Sequence, residues 1–138
     1  MDESKNLPSL EQWLLQAKAE PDAEKCGMYL THNGVVRRTA RAQVRQGNRD
    51  AAPVKGMFFS YDREKLLTAI ERTRKMPGIF HVRVWLNQGS LRLGDDIMLV
   101  LIGGDIRPHV VDALQSLVGT IKNECVVERE LPDDAQER

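Results

Sequence analysis

The stretch DIMLVLI, residues 96–102, contains the longest apolar run of this 138-residue chain. A strand with one solvent-facing side alternates apolar and polar residues, and this stretch does not alternate. An unbroken run of this length indicates a strand that is covered on both faces. It is also far too short to cross a bilayer, so no membrane-spanning segment is expected.

The residues that follow, GGDIRPHVVDALQSLVGTIK at 103–122, have the pattern of a helix. Pro108 suits the first helical turn, and the residue before a proline avoids the α conformation. Arg107 is therefore expected at the N-cap position or next to it. Four residues recur at helical spacing and are predicted to face the core: Val111, Leu114, Val118 and Ile121.

A second helix is predicted over residues 63–75, REKLLTAIERTRK. Asp62 is a residue type that caps helix N-termini, and the Met-Pro-Gly sequence at residues 76–78 ends the pattern. Its predicted apolar stripe consists of Leu66, Leu67 and Ile70.

A short N-terminal helix is predicted over residues 10–18, LEQWLLQAK. Ser9 and Gln12 have the spacing of a capping box, in which a serine at the N-cap pairs with a glutamine three residues later. Pro21 is expected to stop the helix.

The other predicted elements are strands. Residues 80–86, FHVRVWL, alternate, so one face is predicted to carry Phe80, Val82, Val84 and Leu86. Residues 26–37 mix β-branched and aromatic residues with two glycines, which indicates an interrupted or bulged strand. Residues 54–60 and 125–130 are predicted strands, and residues 87–95 are predicted to be a loop.

The predicted order, α-β-β-α-β-β-α-β, indicates one α+β domain over residues 1–138. We expect a mixed or antiparallel sheet with two core helices and the short N-terminal helix. Residues 1–8 and 131–138 are predicted to be frayed. Residues 38–53 are polar and rich in arginine and lack apolar periodicity, so they are predicted to form a mobile loop.

Composition excludes several classes of function. Lysine plus arginine and aspartate plus glutamate both number 20, so net charge gives no support to nucleic-acid binding. A nucleic-acid role confined to the arginine-rich loop would predict salt-dependent binding. The three histidines and two isolated cysteines have no ligand-like spacing, so no metal site is predicted. The polar N-terminus is no signal peptide, and we expect a cytoplasmic protein.

Three basic residues occupy positions at which a binding or catalytic site could form. Arg107 opens a helix behind two glycines, where free N–H groups and a guanidinium could bind phosphate or carboxylate. Lys122 stands at a helix C-terminus, a position where the helix dipole favours any cation. Arg37 ends a strand and begins the arginine-rich loop, which could enclose a phosphate or could be solvated. For each of the three, an ordinary surface role is the alternative.

Three blocks of sequence, taken together, resemble the large, catalytic subunit of molybdopterin synthase. NGVVR at residues 33–37 resembles that family's G-x-V-R strand end. VWLNQGSLRLGDDIMLVLIGGDIR at residues 84–107 resembles its hairpin, buried strand and helix opening. IKNECVVERE at residues 121–130 resembles a family segment in which a lysine is followed by six residues, a second lysine and then an acidic residue. The resemblance covers residues 26–130 and is carried by the order and spacing of all three blocks.

The resemblance implies an α/β hammerhead fold and a role in molybdenum cofactor biosynthesis. It implies transfer of two sulfurs to cyclic pyranopterin monophosphate, which gives molybdopterin, with no permanently bound cofactor. The sulfur donor would be a ubiquitin-like small subunit whose Gly-Gly C-terminus is thiocarboxylated. A homodimer of large subunits with a small subunit at each end would form a heterotetramer.

The resemblance also implies roles for individual residues. Lys122 matches the first catalytic lysine, and Arg129 stands where the second lysine is expected. Arg37, with Arg38 beside it, and Arg107 match positions that would bind the substrate phosphate. If the chain turns at residues 123–124, Lys122 and Arg129 are predicted to face one pocket.

The chain departs from the family pattern around that pocket. Ile106 stands where the family has histidine, and Leu86-Asn87 replace its His-Arg pair. An arginine at position 129 can bind an anion but cannot act as a neutral amine. The alternative to sulfur transfer is therefore a non-catalytic relative that binds a pterin, a phosphate or a protein partner in the same pocket.

Overall fold

A computed structural model of the chain describes residues 7–38 and 54–132. Three α-helices and six strands form in these ranges. The helices are α1 (Leu10–Lys18), α2 (Arg63–Arg74) and α3 (Arg107–Thr120). The strands are β1 (Met28–Val35), β2 (Val54–Tyr61), β3 (Ile79–Leu86), β4 (Gly89–Arg92), β5 (Asp96–Gly104) and β6 (Val126–Pro132). A 3-10 turn, Pro21–Lys25, follows α1, and a π-helical turn, Ile121–Cys125, continues α3.

The strands form two three-stranded sheets, in the orders β1-β5-β3 and β4-β2-β6. Every strand pairing is antiparallel. The α+β class and the antiparallel pairing predicted from the sequence are therefore confirmed, with two sheets in place of one.

The strand β5 lies at the centre of the first sheet and is covered on both faces, as its unbroken apolar run predicts. Met98, Val100 and Ile102 point into a large core that α2, α3 and the second sheet share. Leu99 and Leu101 point the other way, into a smaller core with Trp13 of α1. Because alternate residues of a strand face opposite sides, this two-sided burial requires apolar residues at every position.

Both predicted helix caps are present. The Ser9 hydroxyl accepts a hydrogen bond from the Gln12 N–H at 3.2 Å. A carboxylate oxygen of Asp62 accepts from the N–H groups of Glu64 and Lys65 at 3.0 and 3.1 Å. These bonds satisfy backbone donors that a helix leaves unpaired in its first turn.

The apolar stripes of the two longer helices differ from the prediction. In α3 the buried residues are Val110, Ala113 and Leu117, one position before the predicted stripe, with Ile121 in the following turn. Leu114 and Val118 only border the core. In α2, Leu67 is 51% exposed, and Ala69 and Thr73 complete the buried face with Leu66. Apolar residues occur next to each other in both helices, so spacing alone left two nearly equivalent faces.

Two predictions about strands were wrong. A register shift between Ile79 and His81 places Ile79, in place of Phe80, in the core with Val82 and Leu86. Such a bulge changes the alternation at the start of a strand. The predicted loop over residues 87–95 contains the strand β4, which pairs with β2.

We predict that Gly78→Ala destabilises the fold by about 1–3 kcal/mol, because Gly78 has φ +77 and a Cβ there would overlap Asp105 and His109. Urea denaturation measures the change. The matched control is Gly119→Ala in α3, where a Cβ meets no atom within 4 Å and helix propensity should add about 0.5–1 kcal/mol. Equal free energies of unfolding for Gly78→Ala and the wild type would contradict the prediction.

Candidate functional site

A cavity of about 300 Å³ lies where the two sheets and the turn after α3 meet. Its apolar wall comes from Met57 of β2 and from Ile97 and Met98 of β5. Its polar and charged residues are His32, Arg37, Lys122, Glu128 and Glu130. We call this space the first cavity.

Lys122 reaches the first cavity because the end of α3 does not stop at Thr120. The π-helical turn adds Ile121 and Cys125, which are both buried. These two residues anchor the turn, and Lys122 between them is held partly buried at the cavity wall. The turn contains residues 123–124, and β6 begins directly after it at Val126.

Arg37 enters the cavity from the end of β1. The preceding residue, Val36, is buried and its backbone is held on both sides, since its N–H donates to the Asp95 carbonyl at 3.0 Å and its carbonyl accepts from the Gly94 N–H at 2.8 Å. Arg37 therefore extends from a fixed backbone position. Arg38 is exposed and is not among the residues that line the cavity. The rest of the predicted arginine-rich loop, residues 39–53, lies outside the described residues.

Arg129 does not face the same cavity as Lys122, so this prediction was wrong. In the pairing of β6 with β2, Glu128 lies opposite the buried Phe59 and Arg129 lies opposite Phe58, which is 37% exposed. Opposed residues share a face of a sheet and neighbours alternate. Glu128 and Glu130 therefore face the cavity, whereas the Arg129 guanidinium lies 5.9 Å from the Phe58 ring on the outer face.

Arg107 is also remote from Lys122. It occupies the first turn of α3, next to the N-cap Ile106 as predicted, and it is exposed. Lys122 lies just beyond the other end of the same helix. At about 1.5 Å per residue, the helix separates their Cα atoms by roughly 20 Å. Within a single copy of the chain, Arg107 is therefore too far away to reach the cavity.

His32 is the residue that the sequence analysis missed. It lies in β1, is partly buried and lines the first cavity with Lys122. Burial and, second, the positive charge of Lys122 lower the pKa of His32 from its ordinary 6.5. The sequence does contain a signal for this position. His32 and Gly34 are two residues apart, so they share a strand face, and the same strand leads to Arg37.

A second cavity, of about 360 Å³, lies on the other side of His32 and Lys122. Its remaining lining comes from Leu114, Gln115, Val118, Gly119 and Asn123. The two cavities share His32 and Lys122 and no other lining residue. These two side chains therefore stand on the boundary between them.

The charge of the first cavity is mixed. Arg37 and Lys122 supply two positive charges, and Glu128 and Glu130 supply two negative ones. The cations can hold an anion, and carboxylates accept hydrogen bonds from N–H groups of a ligand. The cavity thus suits a ligand that carries both an anionic group and several N–H donors.

Within residues 7–38 and 54–132, no group of three or more histidine, cysteine, aspartate or glutamate side chains is arranged to hold a metal ion. No helix in these ranges is long and apolar enough to span a membrane. Of the two cysteines, Cys125 is buried and Cys26 is partly buried.

The fold and the cavity define an α+β protein that carries a lysine and an arginine in one mixed-charge site. The family model described as MoaE protein matches residues 9–124. The chain therefore belongs to the MoaE family, and this membership supports a role in molybdenum cofactor biosynthesis. No curated protein sequence matches the chain at a significant level.

Solved structures show the same fold at low sequence identity. Molybdopterin synthase from Staphylococcus aureus is 17% identical, with a TM-score of 0.64 over 80% of this chain and 78% of that chain. The molybdopterin biosynthesis MoaE protein from Burkholderia ambifaria MC40-6 is 17% identical, with a TM-score of 0.66 over 91% and 83%. A complex of subunits 1 and 2 of the molybdopterin-converting factor from Helicobacter pylori 26695 is 16% identical, with a TM-score of 0.62 over 95% of this chain and 86% of that chain.

We predict that His32 makes the fold less stable in acid. Its folded-state pKa is lowered from 6.5, so the unfolded chain takes up the proton first and stability falls as pH drops below about 6.5. In His32→Gln this part of the loss should disappear, so its thermal midpoint should fall less than that of the wild type between pH 7.5 and 5. The control Thr31→Gln, at an exposed position of the same strand, should keep the wild-type dependence. Identical pH dependence in His32→Gln and the wild type would refute the assignment.

Proposed function

We propose that this chain is the large subunit of a molybdopterin synthase. In this role it transfers sulfur from the thiocarboxylated Gly-Gly C-terminus of a ubiquitin-like small subunit to cyclic pyranopterin monophosphate. The observation that carries the proposal is that Lys122 and Arg37, which are 85 positions apart in the sequence, line one cavity. Membership of the MoaE family and the fold of the solved relatives support it.

The chemistry of the substrate fits the charges of the cavity. Arg37 would hold the cyclic phosphate, since a guanidinium matches phosphate oxygens with two parallel N–H donors. Glu128 and Glu130 would accept hydrogen bonds from the N–H groups of the pterin ring. Lys122 would lie beside the reacting carbons and act as an acid, a base or a transient nucleophile. Molybdopterin, the product, would leave the same cavity.

Arg129 has no catalytic role in this proposal, because its guanidinium lies over Phe58 on the outer face. Arg38 is exposed, so any contact with the phosphate would depend on the bound state. Arg107 could reach a phosphate in this cavity only from a second copy of the chain, because the length of α3 separates it from Lys122. Its proposed binding role therefore depends on the proposed homodimer.

The proposed assembly is a homodimer of this chain with a small subunit at each end, which makes a heterotetramer in the cytoplasm. Support for the small subunit comes from the Helicobacter pylori structure, which is a complex of two molybdopterin-converting factor subunits.

The second candidate is a non-catalytic relative that binds a pterin or phosphate ligand, or a protein partner. One observation favours it. Two carboxylates face the cavity, and the arginine at the expected position of a second lysine points away from it. Lys122 is therefore the only primary amine among the described residues that line the cavity.

We predict that Lys122→Ala lowers sulfur transfer by at least about 100-fold, because it removes the amine next to the substrate. A reconstituted assay with the thiocarboxylated small subunit measures product formation. Lys18→Ala, at the exposed end of α1, is the matched control and should keep full turnover. Arg129→Lys should also leave turnover unchanged, because this side chain lies outside the cavity.

Two outcomes separate the candidates. Full turnover in Lys122→Ala would show that the catalytic assignment is wrong. A wild-type chain that binds cyclic pyranopterin monophosphate in calorimetry and transfers no sulfur would favour the binding relative.

We predict that the chain is a dimer at micromolar concentration. The expected mass from light scattering is twice 15.6 kDa. The proposed role of Arg107 requires this association, since the second copy would have to supply it. A mass equal to one chain would contradict both the dimer and that role.

A further inference from the structure

The boundary between the two cavities consists of two side chains that differ in their chemistry. Lys122 carries a primary amine and His32 carries an imidazole, and both line the first and the second cavity. Burial and, second, the positive charge of Lys122 lower the pKa of His32. A ligand that occupies either cavity therefore meets this pair.

The other charged residues around His32 are one arginine and two glutamates. Arg37 follows β1, and Glu128 and Glu130 extend from β6. Among the side-chain types present, imidazole is the one whose ordinary pKa lies between pH 5 and 8. A proton that moves within this pocket at neutral pH therefore has one natural acceptor, which is His32.

The surroundings of His32 leave its ring available. No hydrogen bond to the ring occurs among the described residues, whereas the rings of His81 and His109 contact Glu20 and Asp105 at 3.1 and 2.7 Å. The ring atom Nε2 lies 3.7 Å from the place where a Cβ on Gly34 would stand. Because residue 34 has no side chain, nothing from that position covers the nitrogen.

We propose that His32 is the proton-exchanging residue of this site and that it acts through Lys122. The inference rests on the proposed function, and it assigns to an imidazole the acid–base work for which the chain has no second lysine in the cavity. In the exchange, a bound ligand brings the two side chains into hydrogen-bond contact, an N–H bond of the Lys122 ammonium breaks, and its proton bonds to a ring nitrogen of His32. The products are a neutral amine and an imidazolium, and the reverse transfer restores both groups.

The electrostatics of the pair agree with this exchange. Burial and the Lys122 charge both lower the pKa of His32, so the resting site holds a neutral imidazole beside an ammonium. A proton on the ring while Lys122 is charged would bring two positive charges together, which costs free energy. The pair therefore carries one positive charge at rest, and the exchange with Lys122 keeps that total.

The first test is an NMR titration of the full chain, in which all three histidines carry a ¹⁵N label. His32 should titrate below 6.5 in the wild type and at higher pH in Lys122→Met, which keeps the side-chain length and removes the charge. Lys18→Met is the control and should leave the His32 titration unchanged. A His32 titration at or above 6.5, or one that Lys122→Met does not move, would overturn the inference.

The second test measures sulfur transfer against pH in the reconstituted complex with the small subunit. His32→Gln should lower turnover by about 10²- to 10⁴-fold at neutral pH and remove the decline that protonated His32 causes in the wild type below about pH 6.5. In His32→Ala, added imidazole should restore part of the turnover, which a purely structural role of His32 would not allow. Thermal unfolding of each variant confirms that it is folded.

The outcomes separate this inference from the proposed function. An active wild type together with a fully active His32→Gln that keeps the acidic decline would overturn the role of His32 and leave sulfur transfer intact. A His32→Ala that is folded, inactive and not rescued by imidazole would also overturn it. A wild type with no turnover at any pH would refute both, because the proton exchange has no role without the reaction.

Discussion

Burial of β5 on both faces is the constraint on which the other elements depend. Every residue from Ile97 to Gly104 is buried, so the strand needs a paired neighbour at each edge and a covering layer on each face. Its edges pair with β1 and β3. The helices α2 and α3 and the second sheet cover one face, and α1 covers the other. Unpaired backbone groups at this depth would each cost about 1–3 kcal/mol, so the pairing is strongly specified.

The candidate site follows from this arrangement. β1 must lie against β5, which brings His32 and the strand-end Arg37 to the side where Met98 forms the cavity wall. The packing of α3 on the same face fixes the position of the turn that carries Lys122. The pairing of β6 with β2 then directs Glu128 towards the cavity. Three elements thus supply the charged residues of one pocket: the end of β1, the turn after α3, and β6. Cations and carboxylates that lie this close can compensate one another.

The features that sequence predicted well depend on local chemistry. The caps at Ser9 and Asp62 are recognised because a side-chain oxygen reaches an N–H two or three residues away. The strand β5 is recognised because its burial needs no knowledge of its neighbours. The short strand β4 was missed, since its four residues are a strand only through their pairing with β2.

In the candidate site too, features set by local chemistry were predictable, and features set by contacts between distant elements were not. Strand alternation places Arg129 and Glu128 on opposite faces of β6, but the face that meets the cavity is decided by the register between β6 and β2. No local signal contains that register. His32 was missed for a related reason, because its importance comes from its position beside Lys122, which is 90 positions away in the sequence. Arg107 could not be excluded from the pocket until the length of α3 was known.

The central claim is that Arg37 and Lys122 form one binding site for an anionic pterin. A crystal structure of the chain with cyclic pyranopterin monophosphate tests it most directly. The account predicts that the phosphate of the ligand lies within hydrogen-bond distance of Arg37 and that the ligand contacts Lys122. A ligand bound instead beside Arg129 and Phe58, with neither Arg37 nor Lys122 in contact, would contradict it.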